Sequence, residues 1–249
     1  MRKPLIAANW KMYKTPAQAQ EFVNAFLPLV AGHDRDEILL CPSDTSLATV
    51  IPAVAGSNIA TGGQNMHFAE EGAYTGETSA LMLKAIGATH VLIGHSERRQ
   101  YFNETDETVN KKLITALKHK LTPIVCIGEV LVEREAGHTD DVLRKQISLA
   151  LTGVSPEDAE TIVVAYEPVW AIGTGKTATP EMAAEAHLLI RSEIARCLGR
   201  HVADNIRILY GGSVKPDNAN SLLNQPEIDG ALVGGASLDP NSFAKIVKY

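Results

Sequence analysis

Short apolar segments alternate with amphipathic segments along the chain, and this alternation limits the fold more than any other feature. Eight runs rich in aliphatic residues predict strands, at 5–9, 38–41, 59–62, 90–93, 123–127, 162–166, 206–210 and 231–233. Several of these runs are apolar at every position, which is typical of parallel strands covered on both faces. The pattern therefore predicts an α/β protein with a parallel sheet.

Helix signals lie between the predicted strands. Thr15 followed by Pro16 predicts a helix start, and Gly199 predicts a helix end after the periodic segment 180–198. Eight strand–helix units in 249 residues average about 31 residues each, the size of a βαβ repeat. Because no Pro-, Gly- or Ser-rich linker divides the chain, we predict one domain, a (β/α)8 barrel over residues 1–249. A doubly wound sheet is the alternative, since alternation alone does not show closure.

Composition argues against several kinds of partner. The chain has 23 Lys and Arg against 29 Asp and Glu, a formal net charge of −6, whereas nucleic acids and anionic membranes bind basic faces. Three widely separated cysteines without a CxxC pair indicate neither disulfides nor a zinc site. The first apolar run breaks at Asn9, too early for a signal peptide, and no run is long enough to span a membrane. We expect a cytoplasmic protein without a metal, nucleic-acid or membrane partner.

Polar residues and glycines follow most of the predicted strands. In chain order they are Asn9, Lys11, Asn65, His95, Glu97, Glu167, Ser213, Gly234 and Gly235. In a parallel barrel the carboxyl ends of all strands share one rim, where active sites form. These residues are far apart in sequence, yet the barrel predicts that they meet in one site.

Some familiar short motifs are incomplete. The segment 173–177 suggests a P-loop, but Trp170 stands where the first glycine of that motif is needed. The segment 94–98 suggests a nucleophile elbow, yet it ends in Arg98 instead of glycine. The chain has no HExxH, and no GxGxxG follows the first strand. Nucleotide, zinc-protease and dinucleotide sites are therefore not indicated.

Longer segments resemble the signature segments of one family, the triosephosphate isomerases. They are 9–12, 94–99, 126–129, 165–175, 210–214 and 232–238, with 72–77 similar to the family's dimer loop. The resemblance covers the whole chain, in family order. It implies a (β/α)8 barrel that interconverts dihydroxyacetone phosphate and D-glyceraldehyde 3-phosphate without a cofactor, in glycolysis and gluconeogenesis.

The resemblance implies an acid–base pair. Glu167 is the expected base: Pro168 disfavours helical geometry at Glu167 itself, and closure of the apolar segment 169–172 would dry the carboxylate and raise its pKa. His95 is the expected electrophile. A short helix that begins at Ser96 would lower the imidazole pKa and keep the ring neutral.

The resemblance also implies an anion site. Lys11 is expected to supply a fixed cation and Asn9 an orienting hydrogen bond. Glu97 either pairs with Lys11 or shuttles protons, and the sequence does not decide between these roles. The phosphate is expected to bind to backbone N–H groups at loops after strands. The expected residues there are Gly173, Ser213, Gly234 and Gly235.

A homodimer is implied as well, in which the loop from Asn65 to Glu77 enters the partner near Lys11 and His95. The segment 168–178 is expected to act as a lid. Two alternatives stay open at this point. A barrel that binds sugar phosphates without catalysis predicts a broken base or electrophile, and a synthase of the indole or thiamin pathways has no need of this lid segment.

Overall fold

Eight parallel strands close into a barrel. The structure, a computed structural model, describes residues 2–172 and 178–249. The strands are β1 (Leu5–Asn9), β2 (Glu37–Cys41), β3 (Ile59–Gly63), β4 (His90–Ile93), β5 (Thr122–Ile127), β6 (Val163–Tyr166), β7 (Arg207–Tyr210) and β8 (Gly230–Val233). They pair in chain order, and β1 also pairs with β8. Closure confirms the predicted (β/α)8 barrel and excludes the doubly wound sheet, which would leave two edge strands.

The strands divide their side chains between two apolar regions. Leu5 and Ala7 of β1 pack inside the barrel with Leu39 of β2, whereas Ile6 and Ala8 pack in the layer beneath the helices. Both faces are thus buried, which is why the strands are apolar at successive positions. Each observed strand lies within one residue of its predicted bounds.

Helices surround the barrel. They are α1 (Pro16–Val30), α2 (Asp44–Ala53), α3 (Ala80–Ile86), α4 (Ser96–Phe102), α5 (Asp106–Lys118), α6 (Leu131–Glu135), α7 (Thr139–Ala150), α8 (Pro180–Leu198), α9 (Arg200–Asn205), α10 (Ala219–Leu223) and α11 (Pro240–Val247). The Thr15 hydroxyl accepts the Gln18 N–H at the start of α1, and Gly199 has a φ of 90° at the end of α8, as the sequence predicts. Within the described ranges, no helix is long and apolar enough to cross a membrane.

Short 3-10 turns follow two of the strands that lead to the rim. Val169–Ala171 lies in the predicted lid segment after β6, where the Ala171 N–H donates to the Pro168 carbonyl at 2.7 Å. Gly235–Leu238 follows β8. The middle of the predicted lid, 173–177, lies outside the described residues.

A buried histidine on α8 couples the stability of the fold to pH. His187 is fully buried, with its ring 5.9 Å from that of Tyr166 and 6.5 Å from that of Tyr210, measured between centroids. Its Nδ1–H donates to the Glu227 carbonyl at 3.1 Å. Burial is the main effect that lowers the pKa of His187, from an ordinary 6.5 to about 4; Arg191 lowers it further, and Glu227 opposes both.

We expect this histidine to destabilise the fold as the pH falls from 6.5 to 4. The unfolded chain binds a proton on His187 below its ordinary pKa, whereas the folded chain does so only near pH 4, so the free energy of unfolding falls across this window by roughly 3 kcal/mol. Urea unfolding at several pH values measures this slope. His187→Gln should flatten the slope, whereas His138→Gln, at an exposed position, should leave it unchanged. An equally steep slope in the His187→Gln protein would contradict the assignment.

Candidate active site

A cavity of about 650 Å³ opens at the carboxyl ends of the strands. Its described lining includes Asn9, Lys11, His95, Glu167, Ser213, Gly234 and Gly235. Glu97 lines the adjoining groove, and Gly173 lies outside the described residues. The barrel thus brings together the predicted site residues that the structure describes. Among residues 2–172 and 178–249, no group of three or more His, Cys, Asp or Glu is placed to hold a metal ion.

Glu167 and His95 are in direct contact. Glu167 follows β6 and is 2% exposed, and His95 follows β4 and is 6% exposed. One carboxylate oxygen of Glu167, Oε1, lies 2.9 Å from Nε2 of His95, and the other accepts the N–H of Ser96 at 2.9 Å. Both groups are therefore shielded from water and paired with each other, unlike most carboxylates and imidazoles at a protein surface. Ile172 and Leu232, both apolar, line the same cavity.

The start of α4 determines which His95 nitrogen carries the proton. Nδ1 of His95 accepts the N–H of Glu97 at 3.2 Å. A nitrogen that accepts a backbone N–H has no proton of its own, so the neutral ring carries its proton on Nε2. Nε2–H is therefore the donor to Glu167, and both side chains line the cavity.

The pKa shifts of Glu167 and His95 in this structure are opposite in direction to those expected from the sequence. Burial raises the pKa of Glu167, but His95, the Ser96 N–H and Lys11 together lower it more, so the carboxyl pKa lies below its ordinary value. Burial lowers the pKa of His95, but the carboxylates of Glu167 and Glu97 more than reverse this, so the imidazole pKa is raised. The expectations considered each residue without its partner, and the 2.9 Å contact between the two groups is what reverses them.

Lys11 is fixed through its backbone and its ammonium group. Its φ of 52° is left-handed, and its Nζ donates to Oε1 of Glu97 at 2.6 Å. The Asn9 side chain accepts the Lys11 N–H at 3.0 Å, and Gln64 Nε2 donates to the Lys11 carbonyl at 2.9 Å. Glu97 is thus placed in an ion pair, one of the two roles left open by the sequence, and Asn9 orients the turn that carries Lys11.

The glycines after β8 lie beside Lys11. A Cβ atom on Gly234 would lie 3.5 Å from Cε of Lys11, and a Cβ on Gly235 would meet nothing within 4 Å. Gly235 begins a 3-10 turn, whose first N–H groups have no partner within the turn. N–H groups at the start of a turn, next to an ammonium, suit an anion. Ser213 follows β7 on the same cavity wall.

Two glycines that shape the site were not predicted. A Cβ on Gly128 would lie 1.7 Å from the carbonyl oxygen of Glu167, and one on Gly211 would lie 2.9 Å from Cγ of Glu167. Only glycine leaves room for the backbone and stem of Glu167 at these two points. No sequence signal marks such close contacts between distant segments.

Glu129 was also not predicted as a site residue. It is fully buried and accepts hydrogen bonds from Trp170 Nε1 at 2.8 Å and from the Tyr166 hydroxyl at 3.1 Å, with Arg134 at 3.3 Å. It thereby ties the end of β5 to the residues on either side of Glu167. A signal existed, because Glu129 is a polar residue just after a predicted strand, like the rim residues that were selected.

Fold and site together define a (β/α)8 barrel with a buried carboxylate–imidazole pair in a cavity at its carboxyl rim, a class that contains many enzymes. The family model described as triosephosphate isomerase matches residues 4–249. Proteins of that name from Solibacter usitatus, Caldanaerobacter subterraneus and Clostridium perfringens are 58%, 55% and 53% identical to this chain, each over the full length of both sequences. The chain belongs to the triosephosphate isomerase family, and it is an isomerase.

Proposed function

We propose that this isomerase interconverts dihydroxyacetone phosphate and D-glyceraldehyde 3-phosphate through an enediol(ate), within glycolysis and gluconeogenesis in the cytoplasm. The reaction moves a proton between adjacent carbons, so it needs a base, a donor to the carbonyl oxygen and an anion site, but no cofactor. The observation that carries the proposal is the pairing of the Glu167 carboxylate with the Nε2–H of His95 at 2.9 Å, in a cavity that also contains Lys11.

Glu167 is the proposed base. It takes a proton from the carbon next to the carbonyl; the C–H electrons form the C=C bond of the enediolate, and the carbonyl oxygen takes the negative charge. Because the reacting carbon and oxygen must lie between Glu167 and His95, substrate binding separates the two side chains. This removes the contact with His95 that lowers the pKa of Glu167. Burial, the largest effect on this pKa, raises it and is then opposed by the Ser96 N–H and Lys11 without His95. The carboxylate therefore becomes a stronger base when the substrate binds.

His95 is the proposed electrophile. Its Nε2–H donates to the carbonyl oxygen, while the N–H of Glu97 holds Nδ1 unprotonated. Once the substrate has displaced the Glu167 carboxylate, burial, the largest effect on the imidazole pKa, and that N–H both favour the neutral ring against the Glu97 carboxylate. A neutral donor matches the acidity of the enediol better than a cation does. Return of the proton from Glu167 to the neighbouring carbon, with His95 exchanging the proton between the two oxygens, completes the isomerisation.

The phosphate is proposed to bind at the end of the cavity next to Lys11. Backbone N–H groups of Ser213, Gly234 and Gly235 would surround it, in the place where barrels frequently bind phosphate. The ammonium of Lys11 supplies the counter-charge, with its ion pair to Glu97 fixing its position. Gly173 is proposed to add a further N–H.

The site and the family match argue against the two alternative functions. A barrel that binds sugar phosphates without catalysis would lack a base or an electrophile, whereas Glu167, His95 and Lys11 all line one cavity. Synthases of the indole and thiamin pathways are different families, and this chain matches the triosephosphate isomerase family along residues 4–249.

An isomerase assay of the purified protein with glyceraldehyde 3-phosphate tests the proposal. Glu167→Gln preserves the size of the side chain and removes the base, so it should abolish turnover, whereas Glu181→Gln, at an exposed position on α8, should retain it. An inactive unmodified protein, or a fully active Glu167→Gln protein, would contradict the proposal.

Two copies of the chain are proposed to pair through the loop from Asn65 to Glu77. Large apolar side chains are exposed at Met12, Tyr13, Tyr74, Tyr101 and Phe102. Met12 and Phe102 line a groove that also contains His95 and Glu97. Apolar surface of this kind at one place is typical of an interaction site. The loop of a partner copy would cover it and reach the neighbourhood of His95.

A charged residue at the exposed tip of this loop should weaken the dimer. Thr75→Arg would bury an unpaired charge against the partner, and we expect the dissociation constant of the dimer to rise at least about tenfold. Light scattering and activity measured over a range of protein concentrations report the change. The matched control is Thr152→Arg, which places the same charge at an exposed position after α7. A fully active monomer of the unmodified protein would overturn the proposed dimer.

A further inference from the structure

The two loops of the proposed phosphate site leave the barrel where it closes. The described ladder between β1 and β8 ends at Ala8 and Val233. The loops that follow these residues carry Lys11 and Gly234. Contacts made by these two loops, and not the strand ladder itself, therefore set the distance between the ammonium and the glycines.

Lys14 connects these two loops. Its backbone is left-handed, with a φ of 69°, and its carbonyl accepts the Ser46 hydroxyl at 2.9 Å, so the start of the side chain is held in place. Its Nζ donates to the carbonyl oxygen of Leu238 at 2.8 Å. Leu238 is the last residue of the 3-10 turn that begins at Gly235. One side chain thus reaches from the loop after β1 to the loop after β8.

The 3-10 turn transmits this contact to the glycines. The N–H and the hydroxyl of Ser237 both donate to the Gly234 carbonyl, at 2.8 and 2.7 Å. The turn is therefore tied to Gly234 at one end and to Lys14, through Leu238, at the other. Displacement of Leu238 would displace Gly234, which lies beside the Lys11 side chain.

Aromatic rings hold the Lys14 ammonium in position. Nζ lies 4.9 Å from the centroid of Phe22 and 5.5 Å from that of Trp10. Ring faces attract a cation, most strongly where water is partly excluded. Burial lowers the pKa of Lys14, and the carboxylate of Asp239, just after the turn, opposes this shift. The group is thus a fixed donor, in contrast to the solvated lysines of a protein surface.

We propose that Lys14 is a positioning residue for phosphate binding, which holds the turn after β8 against the loop after β1 so that Gly234 and Gly235 stay at a fixed distance from Lys11. Lys14 is not among the described residues that line the catalytic cavity, so it acts through the two loops and not on the substrate. The inference rests on the proposed function, because it assumes that phosphate binds between these loops.

The test compares three lysine variants. Lys14→Met keeps the apolar stem and loses the donor, Lys14→Arg keeps a charged donor, and Lys245→Met removes an exposed charge from α11. For each protein we would measure kcat and KM with glyceraldehyde 3-phosphate and the inhibition constant of inorganic phosphate. We would also measure kcat/KM with glyceraldehyde, which lacks the phosphate.

Lys14→Met should raise both KM and the inhibition constant of phosphate on the order of tenfold, because a misplaced turn loses hydrogen bonds to the anion. Its kcat/KM with glyceraldehyde should stay near the wild-type value, since that substrate does not use the turn. Lys14→Arg keeps the charged donor and should therefore bind phosphate almost as the wild type does. Lys245→Met should match the wild type. Lys14→Gln, which also loses the charge, serves if Lys14→Met does not fold.

The role of Lys14 is overturned if its Met or Gln variant binds phosphate like the Lys245→Met control. It is also overturned if activity with glyceraldehyde falls as much as activity with the phosphorylated substrate, because that result indicates general damage to the fold. A different result would contradict the proposed function. Unmodified protein that is not inhibited by phosphate, and that uses glyceraldehyde as well as glyceraldehyde 3-phosphate, would contradict the phosphate site itself.

Discussion

Replacement of Glu167 by Asp should lower kcat at least about 100-fold while KM changes little. The substitution keeps the charge but withdraws the carboxylate by one methylene. The shorter side chain could not make the native contacts, in which one oxygen accepts the Ser96 N–H at 2.9 Å and the other lies 2.9 Å from Nε2 of His95. A proton transfer that depends on close approach to one carbon is sensitive to a shift of this size. Steady-state isomerase kinetics with glyceraldehyde 3-phosphate measure it.

The control for this experiment is Glu181→Asp, which makes the same change at an exposed position on α8. It should leave both kinetic constants unchanged. Turnover near the wild-type level in the Glu167→Asp protein would remove this residue from the role of base. A large rise in KM with an unchanged kcat would instead assign Glu167 to substrate binding.

Gly128→Ala should also impair catalysis by Glu167, because it displaces the backbone of Glu167 instead of shortening its side chain. The added Cβ would lie 1.7 Å from the carbonyl oxygen of Glu167 and 2.6 Å from its carbonyl carbon, so β5 and β6 must separate where Glu167 leaves its strand. We expect kcat to fall about 100-fold, and the free energy of unfolding to fall by roughly 3 kcal/mol. The N–H of Gly128 also donates to Gln146 at 2.8 Å, and that bond would shift with the strand. Urea unfolding and kinetics on the same preparation separate the two effects.

Gly153→Ala is the control: it measures the loss of stability from replacing a glycine where no close contact is formed. Gly153 has a φ of 76° and no heavy atom within 4 Å of an added Cβ, so alanine there meets only backbone strain. It should cost about 1 kcal/mol of stability and leave kcat unchanged. Wild-type kcat in the Gly128→Ala protein would show that the backbone of Glu167 can move without loss of catalysis.

The fold could be predicted from local sequence signals because the strand and helix boundaries that they indicate are all consistent with a barrel. β1 is bounded by Pro4 and by the polar Asn9, so its limits are visible in the sequence. α8 begins after Thr179, whose side chain caps a helix start. It ends before Gly199, whose backbone adopts the positive φ that favours glycine after a helix. Several helices were not predicted individually, and the shortest of them, α6, α9 and α10, have only five or six residues, which carry too little periodicity to detect.

The presence of His95 and Glu167 in one cavity could be predicted from the sequence, but the electrostatics of the pair could not. The rim rule places His95 and Glu167 in one cavity, yet nothing local indicates that their side chains touch at 2.9 Å. That distance reverses the expected pKa direction of each group. The same limit applies to Gly128 and to Lys14, because their roles depend on contacts with segments far along the chain.

The pairing of β1 with β8 has a consequence for how the protein is made. The seam joins residues far apart in the chain: Arg2 Nε donates to Asp229 at 2.6 Å across 227 residues, and the Leu5 N–H donates to the Asp229 carbonyl at 3.0 Å. At roughly 5–20 residues per second, a ribosome takes roughly 10–50 s to deliver β8 after β1. Throughout that interval one edge of β1 lacks its partner, and such an edge is a template for pairing with other chains. The nascent chain, more than the finished barrel, is therefore the form at risk of aggregation and the form that chaperones would have to protect.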